Sequence, residues 1–291
     1  VLQVLAYVHS LLARERLRPL YRGDCAPVDK EARTQAIAAA MKSLLAANSV
    51  HAYLLQRSGA CQLAQQQAAA AVVVADVSAP VLGALASLAM AEATLITVLK
   101  DDPYPFAVAE ERNKNSKEWM FRAPELGASR TNLFARLCMA AAEHAAQAAA
   151  SLRNAKGIDE DLLGYVDDLR RTARAKAARF QGIGAEGQGK VGEGIAWLRG
   201  AKKELGFAAD EAGGLRGVAK LRKDWREKRE DRRVQKGDAD WGADAGKFEE
   251  GRVLEMLEKK WVKMNDTVRS RLGLHRLNSI LRRNVLIYLD R

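Results

Sequence analysis

The stretch "GIGAEGQGKVGEGIAWLRGAKKELG", Gly182 to Gly206, sets glycines beside a lysine at spacings that phosphate-binding loops use. Gly184, Gly189 and Lys190 stand at P-loop spacing, and Gly182, Gly184 and Gly187 at the spacing of a dinucleotide fingerprint. Either chemistry needs a buried strand leading into the loop, and the P-loop also needs a hydroxyl after its lysine to hold magnesium. Val191 fills the hydroxyl position, and the residues leading in, "DDLRRTARAKAARFQ", are alanine and arginine at helical spacing. The stretch therefore reads as a turn between two helices.

A second constellation is Asp238, Asp240, Asp244 and Glu249, which fall at positions one, three, seven and twelve of a calcium loop. The obligatory turn glycine is replaced by Ala243, and position five is Gly242, which has no side-chain oxygen. No metal is expected there. The histidines, His9, His51, His144 and His275, are far apart and have no serine or cysteine motif beside them, so each is expected to be structural. Cys25, Cys61 and Cys138 are odd in number and lack metal-ligand spacing, which fits buried thiols in a reducing compartment. No catalytic constellation emerges, and no cofactor or small-molecule substrate is expected.

The elements that would position such residues are helical. Alanine dominates the 291-residue chain, aromatics are only 6%, and apolar residues recur three and four apart, so the expected fold is all-α with close packing through small side chains. A first helix ends near Pro19, and a second runs from about Lys30 to Arg57, followed by the low-complexity "QLAQQQAAAAVVVAD". Ser78 and Pro80 provide an N-cap and first-turn proline for an apolar helix, "VLGALASLAMAEATLITVL". Its length would span a bilayer, but Glu92 sits mid-span and Leu82, Leu85, Leu88, Leu95 and Leu99 form one stripe, which is the pattern of a central bundle helix. The chain is therefore expected to be soluble.

Pro103, Pro105 and Pro124 bracket a segment that reads as a long polar connection. The next helix starts near Ser129, carries Leu133, Leu137 and Cys138, and is broken by Gly157. Another runs to about Phe180, then a glycine turn spans Gly182 to Gly189, then a helix with Ile195, Leu198 and Leu205 stops at Gly206. A charged helix follows from about Asp210, a loop from Gly237 to Gly246, and a last helix through "EEGRVLEMLEKKWVKMND".

The net charge is +11, and after Thr267 the sequence carries six arginines against Asp290 alone. In "LRKDWREKREDRR" acids alternate with bases, as on a solvated helix with i,i+4 pairs; the other reading is a patch for anionic lipid. No aromatic-rich strand motif or zinc motif accompanies the bases, so nucleic acid is not an expected partner.

Taken together, the hairpin "GIGAEGQGKVGEGIAWLRGAKKELG" resembles the tetratricopeptide-like hairpin of the BRO domain, the helical boomerang of Alix-type endosomal adaptors. "SLAMAEATLITVLKDDPYP", "AEERNKNSKEWMFRAPE", "NLFARLCMAAAEHA" and "KWVKMNDTV" are similar to the fungal pH-response branch of that family. The chain departs from it at Val191, where the family has tyrosine, and at Gly194, where it has alanine. The resemblance implies an elongated BRO domain over 1–268, to which an N-terminal piece is missing, and an off-family basic tail over 269–291. It also implies a non-enzymatic adaptor of ambient alkaline-pH signalling. Its groove would take the C-terminal amphipathic helix of a Snf/Vps-type ESCRT-III subunit, with Leu95, Leu133 and Leu137 as the docking residues. The expected location is the cytoplasm, with peripheral recruitment to plasma or endosomal membrane. The alternative is a general endosomal-sorting or membrane-surface scaffold that uses its basic face.

Overall fold

A computed structural model describes residues 1–21, 28–65, 75–112, 125–207, 216–238 and 240–267, the side chains of 59–65, 112 and 216–223 excepted. Cys25, His275, Pro124 and the tail over 269–291 lie outside the described residues, as does most of the low-complexity stretch. Among the described residues the fold is all-helical: α1 (Leu2–Leu17), α2 (Lys30–Gln65), α3 (Ala79–Asp101), α4 (Tyr104–Arg112), α5 (Ala128–Arg153), α6 (Glu160–Gly187), α7 (Val191–Glu204), α8 (Arg216–Lys236) and α9 (residues 247–267). No strand occurs among them.

Successive long helices pack side by side, α1 on α2, α2 on α3, α3 on α5, α5 on α6 and α6 on α7. The early part of α3 (Val81 to Leu88) meets the late part of α5 (Ala145 to Leu152), whereas Val98 meets Phe134 and Cys138, so α3 and α5 run antiparallel. Alanine makes this contact close: Ala141, Ala142, Ala145, Ala148 and Ala149 of α5 are all buried. The larger anchors carry the apolar burial. Leu82 and Leu152, each 1% exposed, contribute about 1.5–3 kcal/mol apiece relative to full exposure. The main core joins α4, α5, α6, α7 and α9, with Phe134 edge-on to Phe180 at 5.2 Å and Trp261 closing it from α9.

Helix boundaries follow local chemistry. Asp159 caps α6, its Oδ1 accepting from the Asp161 N–H at 2.9 Å, and Glu160 and Asp161 suit the positive end of the helix. Ser78 stands at the N-cap of α3, as its place before Pro80 predicts, although its hydroxyl donates back to the Ala75 carbonyl at 2.7 Å. α7 ends at Gly206 (φ 81°), whose N–H donates to the Lys203 carbonyl while that of Phe207 donates to Lys202.

Two expectations change. The connection after Asp101 is partly helical: α4 buries Tyr104, Ala107 and Val108, and Asp102 caps it by accepting from the Tyr104 N–H at 3.1 Å. Pro105 does not prevent this, because a first-turn proline sacrifices no helical hydrogen bond. The hairpin turn is also shorter than the glycines predict. α6 continues through Gly182, Gly184 and Gly187, and only residues 188–190 separate it from α7. Gly182 and Gly184 serve packing: a Cβ on Gly182 would lie 3.1 Å from the Gly194 carbonyl oxygen and 3.2 Å from Trp197 Cβ, and one on Gly184 would lie 3.2 Å from Thr131 Oγ1, whereas Gly187 has open space there.

Candidate functional site

α5 presents two different faces. Thr131, Phe134, Ala135 and Cys138 turn inward, while Leu133 remains 52% exposed and Leu137, one turn on, is partly buried against the main core. Leu95 of α3 is also partly buried and rests on that same core, but it also packs against Ala141, Ala142 and Ala173, on the inner side of α5. The structure thus puts Leu133 and Leu137 on one helix face and gives Leu95 an interior position. Met139, 44% exposed, adds apolar surface on the outside of α5.

Beneath this region, the end of α3 is tied to α6 and α9 by a buried ion cluster. Arg179 is fully buried; its Nη2 donates to Asp102 Oδ2 and its Nε to Glu250 Oε1, both at 2.6 Å. Lys176 Nζ reaches Glu250 Oε2 at 2.7 Å. The guanidinium also lies over the rings of Phe180 (4.3 Å) and Tyr104 (5.5 Å). Burial by itself would raise the Glu250 carboxyl, but Arg179 and Lys176 outweigh it and hold its pKa below the usual value. For Lys176, burial would lower the pKa, and Glu250 more than offsets it. Arg33 completes the junction from α2, donating to the carbonyls of Leu99 and Asp102 at 2.7 and 2.8 Å. Nothing in the spacing of these residues announces the cluster: Arg179 is 77 residues from Asp102 and 71 from Glu250.

α3 is long and apolar enough to cross a membrane, with mean hydropathy 1.8 over its best window, yet ten of its residues are buried in the helical core. Glu92 does not face solvent on the outside of that helix. It accepts from the Tyr165 hydroxyl at 2.6 Å and lines a partly open cavity of about 470 Å³.

The other constellations resolve into structure. Lys190 is exposed at the N-cap of α7, with a helix rather than a strand before it. In the 237–246 loop, Asp244 accepts from the N–H groups of Gly246 and Phe248, capping α9, and Glu249 pairs with Arg252 at 2.6 Å. No group of three metal-ligating side chains converges among the described residues. His51 is buried edge-on to Tyr7, and burial lowers its pKa. Cys138 is fully buried, and burial pushes its thiol up to about 12, which makes it unreactive.

The charged helix α8 differs from a self-paired face. Glu227 and Asp231 reach across to Arg252 of α9 at 3.3 and 3.0 Å, and Glu230 accepts from the Gly242 N–H. Arg226, Lys228, Arg229 and Arg232 are exposed, beside Trp225 at 68% exposure.

Compared with known proteins, the chain is 45% identical over 294 aligned residues to the pH-response regulator protein palC of Emericella nidulans. It is a relative of palC. The alignment covers 94% of this chain and 57% of palC, so the chain spans somewhat more than half the length of the curated relative it matches. No family model matches the chain, and no solved structure does. The likeness to palC agrees with the fungal pH-response resemblance of the motifs "SLAMAEATLITVLKDDPYP", which runs from α3 into the start of α4, and "NLFARLCMAAAEHA", which lies on α5.

Proposed function

We propose that this chain is a non-enzymatic adaptor in ambient alkaline-pH signalling, holding the C-terminal amphipathic helix of a Snf/Vps-type ESCRT-III subunit against α5. The observation that carries the reading is the 45% identity to palC across nearly the whole chain. Leu133 and Leu137 are the contact residues, and Leu95 rests on the same core as Leu137 and backs the face from α3. An exposed leucine one turn from a partly buried one offers an apolar strip to which a helix adds its own i, i+4 anchors. The buried Arg179 cluster serves this by fixing α3, α6 and α9 relative to one another. The test is titration of the chain with a labelled ESCRT-III C-terminal helix peptide, read by anisotropy. Saturable binding that is lost when the peptide's apolar anchors are changed to serine supports the adaptor; no saturable binding removes the partner assignment.

A second reading has its own observation. On α8, Trp225 stands exposed among Arg226, Lys228, Arg229 and Arg232, a combination suited to an anionic membrane surface. Here the chain is a membrane-surface scaffold and the basic helix is its working face. Flotation with phosphatidylserine vesicles at increasing salt separates the two, because the surface contact weakens with ionic strength and a helix in an apolar strip does not.

A further inference from the structure

α1 is packed inside out. The residues it buries are small or polar, Gln3, Ala6 and Ala13, while Val4, Leu5, Val8, Leu11 and Leu12 stand between 42% and 61% exposed. These five recur three and four apart, so they form one ridge, on the side of the helix opposite Ala6 and Ala13. α2 packs against the other side and runs antiparallel: Arg16 donates to the Ala39 carbonyl at 2.8 Å and to the Ser43 hydroxyl at 2.7 Å, and Tyr7 meets His51 edge-on. The ridge is therefore convex. Among the described residues no helix stands beside it to make a groove.

Size and charge decide what such a ridge fits. Five half-exposed aliphatic side chains offer roughly 150–300 Å² of apolar surface, well short of the ~800 Å² that a stable interface takes from each partner. A second copy or a folded partner would also touch only the crest, whereas the fluid boundary of a bilayer closes around it. The charge beside the ridge has one sign. α1 holds a single acid, Glu15, paired with Arg18 at 3.0 Å, and α2 has none after Glu31. Along the stretch of α2 that α1 follows, from Ala39 past His51, the exposed charged side chains are Lys42 and Arg57, and Tyr53 between them in sequence is 51% exposed. Lys42 and Tyr53 are eleven residues apart and so share one face of α2. Bases and a tyrosine edging an apolar strip suit the headgroup level of an anionic leaflet.

We infer that α1 is a membrane-contacting helix, which beds Val4, Leu5, Val8, Leu11 and Leu12 among the acyl chains of an anionic bilayer while Lys42 and Arg57 of α2 meet its phosphates. This goes beyond the membrane-surface reading above, which places the contact on α8: the ridge needs neither Trp225 nor the bases around it. It also uses neither Leu133 nor Leu137, so the docking face on α5 stands or falls separately.

The test is flotation of the full chain with vesicles of equal parts phosphatidylserine and phosphatidylcholine. Because apolar burial carries part of the contact, binding should weaken but persist at about 0.5 M salt, where the Debye length is only about 4 Å. Val4→Ser combined with Val8→Ser should lower vesicle affinity about tenfold and leave the melting temperature nearly unchanged, since both side chains are exposed. Trp225→Ser should leave flotation as it is. No flotation of the parent chain overturns the inference, and so does complete release at that salt, which would mean that charge alone holds the chain; both outcomes are read without any variant. Unchanged flotation of a folded Val4→Ser, Val8→Ser chain overturns it as well, and loss in Trp225→Ser instead assigns the contact to α8. A parent dimer in sedimentation that the same double substitution turns into a monomer gives the ridge to a second copy.

Discussion

Gly182 on α6 and Gly194 on α7 stand face to face where the two helices cross: a Cβ on Gly194 would lie 3.0 Å from the Gly182 carbonyl oxygen and 3.2 Å from the Trp261 ring. The crossing leaves little room for a side chain at either position, and the Trp261 ring of α9 packs against it. Alanine at position 182 must push back both a carbonyl and Trp197 Cβ, so Gly182→Ala is expected to destabilise by about 1–3 kcal/mol despite its better helix propensity. Gly200 is the contrast, exposed on α7 with no atom within 4 Å of where a methyl group would sit. Gly200→Ala should stabilise by about 0.5–1 kcal/mol. Chemical denaturation of both variants checks the opposite signs.

Arg179 carries two buried carboxylates. Arg179→Met leaves Asp102 and Glu250 with only Lys176 to balance them, and is expected to cost about 3–5 kcal/mol. The same cluster sets an acid limit. Glu250 has a folded pKa below its unfolded value, so its contribution is full above the unfolded pKa and is lost as pH falls through the folded one. Thermal melts from neutral pH downward should show Glu250→Gln converging on the parent chain at the acid end.

Glu92 has the opposite sign. Burial raises its pKa, with the Tyr165 hydrogen bond and Arg14 opposing, so the folded state holds a proton that the unfolded state releases. Its burden on stability is absent below the unfolded pKa and grows as pH rises toward the folded one. Glu92→Gln keeps an oxygen for the Tyr165 hydroxyl and should raise the melting temperature near neutral pH, with the gain vanishing at about pH 4.

Leu133 and Leu137 separate binding from stability. Leu133 is 52% exposed, so Leu133→Asp should leave the melting temperature nearly unchanged while weakening the ESCRT-III peptide by about 2 kcal/mol, roughly thirtyfold. Leu137 rests on the main core, so Leu137→Asp should lower the melting temperature as well. Peptide affinity unchanged in a folded Leu133→Asp chain would take α5 out of the docking site.

Cys138 should resist alkylation in the native chain at neutral pH and react only on unfolding, since burial both blocks it and suppresses its thiolate. Peptide mapping after pulsed iodoacetamide labelling, with and without denaturant, reads this directly.

What could be read from the residues alone was whatever depends on near neighbours. The stripe Leu82, Leu85, Leu88, Leu95 and Leu99 repeats at the helical period, so α3 was legible, as were the stops at Gly157 and Gly206, where φ is 74° and 81°. The absent hydroxyl at Val191 and the helical run before the glycines likewise identified a hairpin instead of a phosphate loop, and the motifs on α3 and α5 pointed to the relatives of palC. Tertiary structure decided the rest, because it turned on residues far apart in the chain. Glycine favours a turn by its own conformational freedom, yet Gly182 and Gly184 stay helical because α7 and Thr131 occupy the space where a side chain would sit. The alternating charges of α8 suggest self-pairing, but Arg252 on α9 draws Glu227 and Asp231 inward and leaves the bases outside. Arg179 reads as one more arginine in an alanine-rich helix, and only folding brings Asp102 and Glu250 to within 2.6 Å of it, because pairing there is the one way a charge can remain in the core.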